Sequence, residues 1–222
     1  MSNSSLYINL EKRINQLIQD LLPTIDTSLQ YSDKDITLTN AFYLLCHAEI
    51  EVYIEEIIRK VAKDAYCGWN TNKTNITPII FHLACNYNQE INQKKQPPYS
   101  MICIAYNNLN KLIDKNNGIK ENDIDNLLRY IGFEMDHTLK TTLDVYGKVR
   151  GQIAHKSPDP QNPPDPAIAK RDVQQILSGL AIFDIEIIQY SINSISNRFP
   201  VYFPSQNRMS LLECLKKLFR KR

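Results

Sequence analysis

The sequence predicts an all-α protein, on three observations. Glycine is scarce, at 6 of 222 residues, so the chain lacks the punctuation that a turn-rich β architecture needs. Long stretches carry apolar residues three and four apart, the spacing that lines one face of a helix. The composition, 43% hydrophobic and 23% charged, is that of a folded globular chain rather than a disordered one. At this length one buried core is expected. We therefore expect one helical domain over residues 1–200, including an N-terminal helix, followed by a basic amphipathic tail over residues 201–222.

Leu6, Leu10, Ile14, Leu17, Ile18 and Leu21 are at helical spacing and Pro23 stops the run, which predicts a first amphipathic helix. Thr39 is placed to cap a long second helix from about Asn40 to Tyr66, a stretch without Gly or Pro. Its apolar residues fall on two faces, Ala41, Leu44, Leu45, Ala48 and Val52 on one and Tyr43, Ile50, Ile54, Ile57 and Val61 on the other. Such a helix is expected to be covered from both sides.

A short apolar run from Ile76 to Cys85 predicts one further helix. Helical spacing returns from Met101 to Asp114, stops at Asn116-Asn117-Gly118, and restarts from Glu121 to Ile131 before Gly132. From about Asp136, the stripe Leu139, Leu143, Tyr146, Val149 and Ile153 predicts a helix ending near Ser157, because Pro158 disfavours helical geometry before it. Lys156 to Pro166 holds five prolines and reads as a stiff extended loop. A long helix follows from Pro166 to Ser196. Arg208 to Arg222, with six Lys or Arg against one Glu, reads as a basic amphipathic helix.

A net charge of +2 is too small to imply nucleic-acid binding from the field of the whole molecule. The N-terminus lacks a basic start followed by an apolar run, and no stretch of about 18 uncharged apolar residues occurs. A cytoplasmic protein without stable membrane insertion is expected. Cys46, Cys67, Cys85, Cys103 and Cys214 are odd in number, widely spaced and without a CxxC pair, which suggests reduced core thiols. His82 and Cys85 have a spacing that suits one side of a zinc site, with Cys67 or Cys103 to complete it, but no second compact pair supports a metal. Cys46-His47 and His137 lack helpers for nucleophilic or metal chemistry. No phosphate-cradling Gly-rich loop, Ser nucleophile elbow or HExxH pair is present. Neither cofactor nor metal is expected.

The segment Tyr146-Gly-Lys-Val-Arg150-Gly-Gln-Ile-Ala-His155-Lys156 sets an arginine five residues before a histidine at a helix end. Histidine as a class titrates near neutrality and moves protons, and the forked donors of arginine hold phosphate. In RNA the neighbouring 2′-hydroxyl is the nucleophile, so a proton acceptor and an anion clamp suffice for transphosphorylation without a metal. DNA lacks that nucleophile. On one helix such a pair is splayed by about 140°. Either the last turn unwinds, or a second copy completes the site across a two-fold axis. The plainer alternative is that His155 and Lys156 merely answer the helix dipole while Arg150 sits in a surface ion pair.

Arg150-Gly-Gln-Ile-Ala-His155 resembles the Arg-x4-6-His signature of HEPN domains. The preceding Asn117-Gly-Ile-Lys120 and Leu127-Leu-Arg-Tyr-Ile-Gly132 resemble the approach to that motif in the RiboL-PSP-HEPN group. Leu44-Leu-Cys-His-Ala-Glu49-Ile-Glu-Val-Tyr53-Ile-Glu-Glu56 resembles the family's early acid-bearing helix, and the similarity spans about Asn40 to Tyr190. The resemblance implies an all-α HEPN-like helical bundle with additional N- and C-terminal helices, pairing into a homodimer. It also implies metal-independent RNA cleavage with Arg150 and His155 at the catalytic positions, in a toxin or antiphage-defence setting with an antitoxin or defence partner. One departure is Gly151, where many active relatives carry Asn, Asp or His.

Around this pair, Glu49 is the carboxylate expected to orient His155 or pair with Arg150, and Glu56 lies two turns further on. Both also suit an ordinary boundary position. Lys148, Gln152 and Lys156 are expected to contact RNA. Tyr146 suits either base stacking or the core. The sequence therefore points to an endoribonuclease, with a non-catalytic RNA- or protein-binding module of the same fold as the alternative.

Overall fold

The computed structural model describes residues 2–24, 31–72, 75–86, 98–155, 164–197 and 199–200. The described residues form seven helices: α1 (Ser5–Leu21), α2 (Asp33–Asn72), α3 (Pro78–Cys85), α4 (Pro98–Ile113), α5 (Glu121–Ile131), α6 (His137–His155) and α7 (Pro166–Ser196). Among the described residues the one exception to the all-α class is a two-residue antiparallel pair, β1 (Asn75–Ile76) with β2 (Phe199–Pro200), in the register Asn75 to Pro200 and Ile76 to Phe199. The expected basic helix from Arg208, residue Lys156 and the loop prolines from Pro158 to Pro163 lie outside the described residues.

The chain divides into two compact units. The first comprises Met1–Ile57, Asn117–Ile124 and Met135–Glu186, and the second Ile58–Asn116, Asp125–Glu134 and Ile187–Arg222.

In the first unit, Ser4 caps α1 by accepting from the Tyr7 amide at 3.2 Å. Its own amide and hydroxyl donate to the carboxylate of Asp184 on α7, each at 2.6 Å. Tyr53 of α2 donates to the same carboxylate at 2.9 Å, and the Tyr7 hydroxyl donates to the Leu177 carbonyl at 3.1 Å. One buried carboxylate thus joins three helices, and it is tolerated because three donors satisfy it. Around it Leu10, Ile14, Leu17, Phe42, Ile50, Ile54, Leu143, Val173, Ile176, Leu180 and Phe183 are buried, each large side chain contributing about 1.5–3 kcal/mol by leaving water. By length and composition α7 is apolar enough to cross a membrane. Ala169, Val173, Ile176, Leu180, Phe183 and Asp184 of this helix are buried in this core, whereas Ile168 and Ile182 are exposed.

Two expectations for α2 are corrected. The helix starts at Asp33 rather than Asn40, because Ser32 and Asp35 form a reciprocal capping pair: the Asp35 amide donates to Ser32 Oγ at 3.2 Å, and the Ser32 amide donates to Asp35 Oδ2 at 3.0 Å. Thr39 is interior and buried, its hydroxyl donating to the Asp35 carbonyl at 2.8 Å. Nor are both apolar faces covered. Tyr43, Ile50, Ile54, Ile57 and Val61 are buried, whereas Leu45 is 42% and Val52 54% exposed.

In the second unit Thr77 caps α3 by accepting from the Ile80 amide, and the Ile79 amide donates to Ser194 Oγ at 3.3 Å. The expected helix from Ile76 is shorter because Asn75–Ile76 pair as β1. Gly132 ends α5 at φ 70°, its amide and that of Phe133 donating to the Leu128 carbonyl, the left-handed termination that glycine favours. The His82 ring packs over it so closely that a Cβ there would come within 2.1 Å. Of the four described cysteines, all free, Cys46 is buried but Cys67 and Cys85 are exposed. Those two are not the core thiols expected.

Candidate functional site

Helix α6 carries the motif in the first unit. Asp136 starts it by accepting from the Leu139 amide at 3.0 Å, and Leu139, Leu143 and Tyr146 are buried. Arg150 lies four and seven residues beyond Tyr146 and Leu143, on that inward row, and is half-buried. The helix remains regular through His155. Unwinding of the last turn is therefore not how the pair is brought together, and the separation of about 140° stands. His155 is exposed, and shares the outward face with Lys148 and Gln152, seven and three residues before it.

Two α2 side chains feel the charge of Arg150 in this unit. His47 is 2% exposed, and burial first, then the cations Arg150 and Lys120, press its imidazole down to about 4. At neutral pH it is uncharged. Its Nδ1 lies 3.7 Å from Glu51 Oε2, beyond hydrogen-bond reach. Glu51 is half-buried, and burial together with Glu55 and Asp123 raises its carboxyl above the usual range, with Arg150 pulling the other way. The fourth participant is Lys120, which precedes α5. Its chain crosses α6 at Gly147, where a Cβ would meet Lys120 Cγ at 3.2 Å and Ile119 Cγ1 at 3.6 Å. Gly147 is one turn before Arg150.

The other expected residues are placed as follows. Glu49 is turned to α1, in an ion pair with Arg13 at 3.0 Å. The carboxylate that shares a field with Arg150 is Glu51, because two residues along a helix swing a side chain about 200° around it. Glu56 is exposed. Tyr146 takes the core alternative: it is 3% exposed, tilted against Tyr43 at 5.3 Å between ring centres, with its hydroxyl donating to the Tyr43 carbonyl at 3.4 Å. Lys148 is exposed and paired with Asp144 one turn back, whose carboxyl is lowered chiefly by that hydrogen bond. Gly151 faces open space, with nothing within 4 Å of an added Cβ.

Sequence reasoning weighed His47 only beside Cys46, as lacking helpers for nucleophilic or metal chemistry, and did not single out Glu51 or Lys120. The available signal was the i, i+4 spacing of His47 and Glu51 on the acid-bearing helix. Which carboxylate on that helix meets the motif depends on how the helix is rotated in the fold. Among the described residues, no group of three or more His, Cys, Asp or Glu is arranged to hold a metal.

An all-helical chain whose long penultimate described helix ends in Arg-x4-His, with an acid-bearing long helix set against the arginine, is a HEPN-type domain. The sequence profile of the RiboL-PSP-HEPN family matches residues 7–197. The chain belongs to that family. Searches of curated proteins and of solved structures found no match. HEPN domains commonly bind RNA and dimerise.

Proposed function

We propose that the protein is a metal-independent endoribonuclease that cleaves RNA by attack of the 2′-hydroxyl on the adjacent phosphate. Arg150 binds the scissile phosphate and His155 transfers the proton to or from the reacting oxygens. One observation carries this reading: Arg150 is half-buried and makes no ion pair among the described residues, Glu51 reaching it only through its field, which leaves its forked donors to a phosphate. His155 stands exposed on the other side of the same helix. A homodimer supplies Arg150 and His155 from both copies to a composite site, so that the two can meet on one phosphate despite their splay. Lys148 and Gln152 share the outward face with His155 and extend the contact along the RNA, with Lys156 following in sequence. Residues 1–200 act as one HEPN-like domain in this reading, in the cytoplasm, as a toxin or antiphage effector restrained by an antitoxin or defence partner.

The test is incubation of wild-type protein and His155→Ala with mixed cellular RNA in chelator, followed by analysis of fragment ends. Fragments ending in 2′,3′-cyclic phosphate from wild type, with a rate loss of about 10²–10⁴ in the variant, are expected. Intact RNA at high concentrations of folded wild-type dimer would overturn the reading.

Gly151 favours a second reading, a non-catalytic RNA- or protein-binding module, because the position after Arg150 offers no side chain to the site. Growth arrest on expression separates the two. Arrest by wild type that is lost in folded Arg150→Ala and His155→Ala fits the nuclease, and equal arrest fits the module.

A further inference from the structure

Lys120 enters the sequence reading only as the last residue of Asn117-Gly-Ile-Lys120 in the approach to the motif, yet its position in the fold is constrained. The segment Gly118 to Lys120 passes over α6 where residue 147 has no side chain, and the Lys120 stem packs 3.2 Å from the place a Cβ would occupy. Residues three apart on a helix are neighbours on its surface, about 5–6 Å between Cβ atoms. The crossing at Gly147 therefore puts the base of Lys120 beside that of Arg150, and a lysine stem is long enough to bring its ammonium to the same place.

Both cations act on the same buried neutral ring, His47, and neither has an ion-pair partner among the described residues. The carboxylates of this neighbourhood are Glu51, Glu55 and Asp123 around Arg150, and Asp144, which bonds Lys148 first and feels Lys120 only through its field. Asp123 is turned toward Gly118, where an added Cβ would lie 2.8 Å from its Oδ2. The third local lysine, Lys148, is committed to Asp144. What remains is a pair of cations that make no ion pair among the described residues and both act on one uncharged imidazole, with the α5 start fixed beneath Lys120 by the Asp123 and Ile124 amides donating to its carbonyl.

We propose that Lys120 is a second cation of the phosphate site, holding one phosphate of the RNA backbone jointly with Arg150. This rests on the RNA-cleaving reading for the identity of the polyanion, but the anion site itself does not. Two cations differ in what they give: the fork of arginine fixes the orientation of the phosphate, and the lysine ammonium adds a mobile point charge. Lys120 is accordingly a substrate-binding residue, and its loss weakens binding more than turnover.

The experiment measures binding of a fluorescent single-stranded RNA in the His155→Ala background, across a salt series, for Lys120→Gln, Lys120→Arg, Arg150→Gln and the double variant. One lost phosphate contact lowers the slope of log K against log salt by about 0.7. Lys120→Gln is expected to show that drop with roughly 5–10-fold weaker binding near physiological salt, Lys120→Arg to retain the wild-type slope, and the double variant to lose less than the sum of the single losses. Unchanged slope and affinity in Lys120→Gln, or fully additive losses with Arg150→Gln, would overturn the shared site. A parallel titration with inorganic phosphate, read by NMR of the His47 ring, separates this inference from the nuclease reading. Lys120-dependent phosphate binding by a wild type that cleaves no RNA would retain the anion site and reject the nuclease. Absence of binding to both RNA and phosphate would reject both.

Discussion

The positive charge of Arg150 on α6 acts on the buried imidazole of His47 on α2 and helps to keep it uncharged. His47 is buried without a hydrogen-bonded carboxylate, since Glu51 stays 3.7 Å away. Burial and the two cations act in the same direction.

A pH dependence of stability follows. The folded His47 binds its proton only near pH 4, against an ordinary 6.5. The unfolded chain thus takes up a proton that the folded chain refuses as pH falls from about 6.5 to about 4. Stability is fully present above that window and declines through it, by roughly 3 kcal/mol at about 1.36 kcal/mol per unit. Denaturant midpoints of wild type and His47→Gln at pH 7.5, 5.5 and 4.5 check this. A wild-type decline no steeper than that of the variant would refute it.

Asp184 is the most vulnerable polar position in the first unit. Asp184→Ala strands the Ser4 amide, the Ser4 hydroxyl and the Tyr53 hydroxyl, which all donate to it. A loss of about 3–5 kcal/mol is expected. Tyr53→Phe removes one donor only and is expected to cost about 1 kcal/mol. Urea unfolding of the three proteins gives the ranking, and equal costs for the two variants would contradict it.

Two glycine substitutions are expected to move stability in opposite directions. Gly132→Ala meets both a positive φ and the His82 ring, and should destabilise by about 2–4 kcal/mol. Gly151→Ala sits in a helix with open space around it, and should stabilise by up to about 1 kcal/mol. Thermal unfolding measures both. Gly151→Asn fits the same space and is expected to raise RNA cleavage if the missing side chain limits activity.

The two carboxylates of α2 provide a test that does not depend on folding. Glu49 pairs at the surface with Arg13, an interaction worth about 0–1 kcal/mol, and Glu49→Gln is expected to leave cleavage within about twofold of wild type. Glu51 lies in the field of Arg150, and Glu51→Gln is expected to change cleavage by tenfold or more through the position of the arginine. Single-turnover rates on one RNA decide between them. A reversed order would return the orienting role to Glu49.

Element positions were legible from the sequence wherever the cause is local. The 3.6-residue periodicity and the flanking breakers placed α5 and α7 at the residues where the structure has them. The Arg150 to His155 spacing was legible for the same reason, since five residues on one helix are a local relation. The start of α2 was also local, but its Ser32 and Asp35 capping pair lay upstream of the apolar stripe that drew the boundary to Thr39.

Only the tertiary structure decided which side of α2 enters the core and what meets Arg150. A helix apolar on two faces has no internal reason to prefer one, so the burial of Ile50 and Ile54 and the exposure of Leu45 and Val52 are set by the helices that pack against it. His47, Glu51, Lys120 and Arg150 come from three segments far apart in the chain, and no periodicity relates them. Ile119 and Lys120 pack on α6 at Gly147, one turn before Arg150, because a missing Cβ admits a crossing chain, a contact that exists only once both segments have found their places.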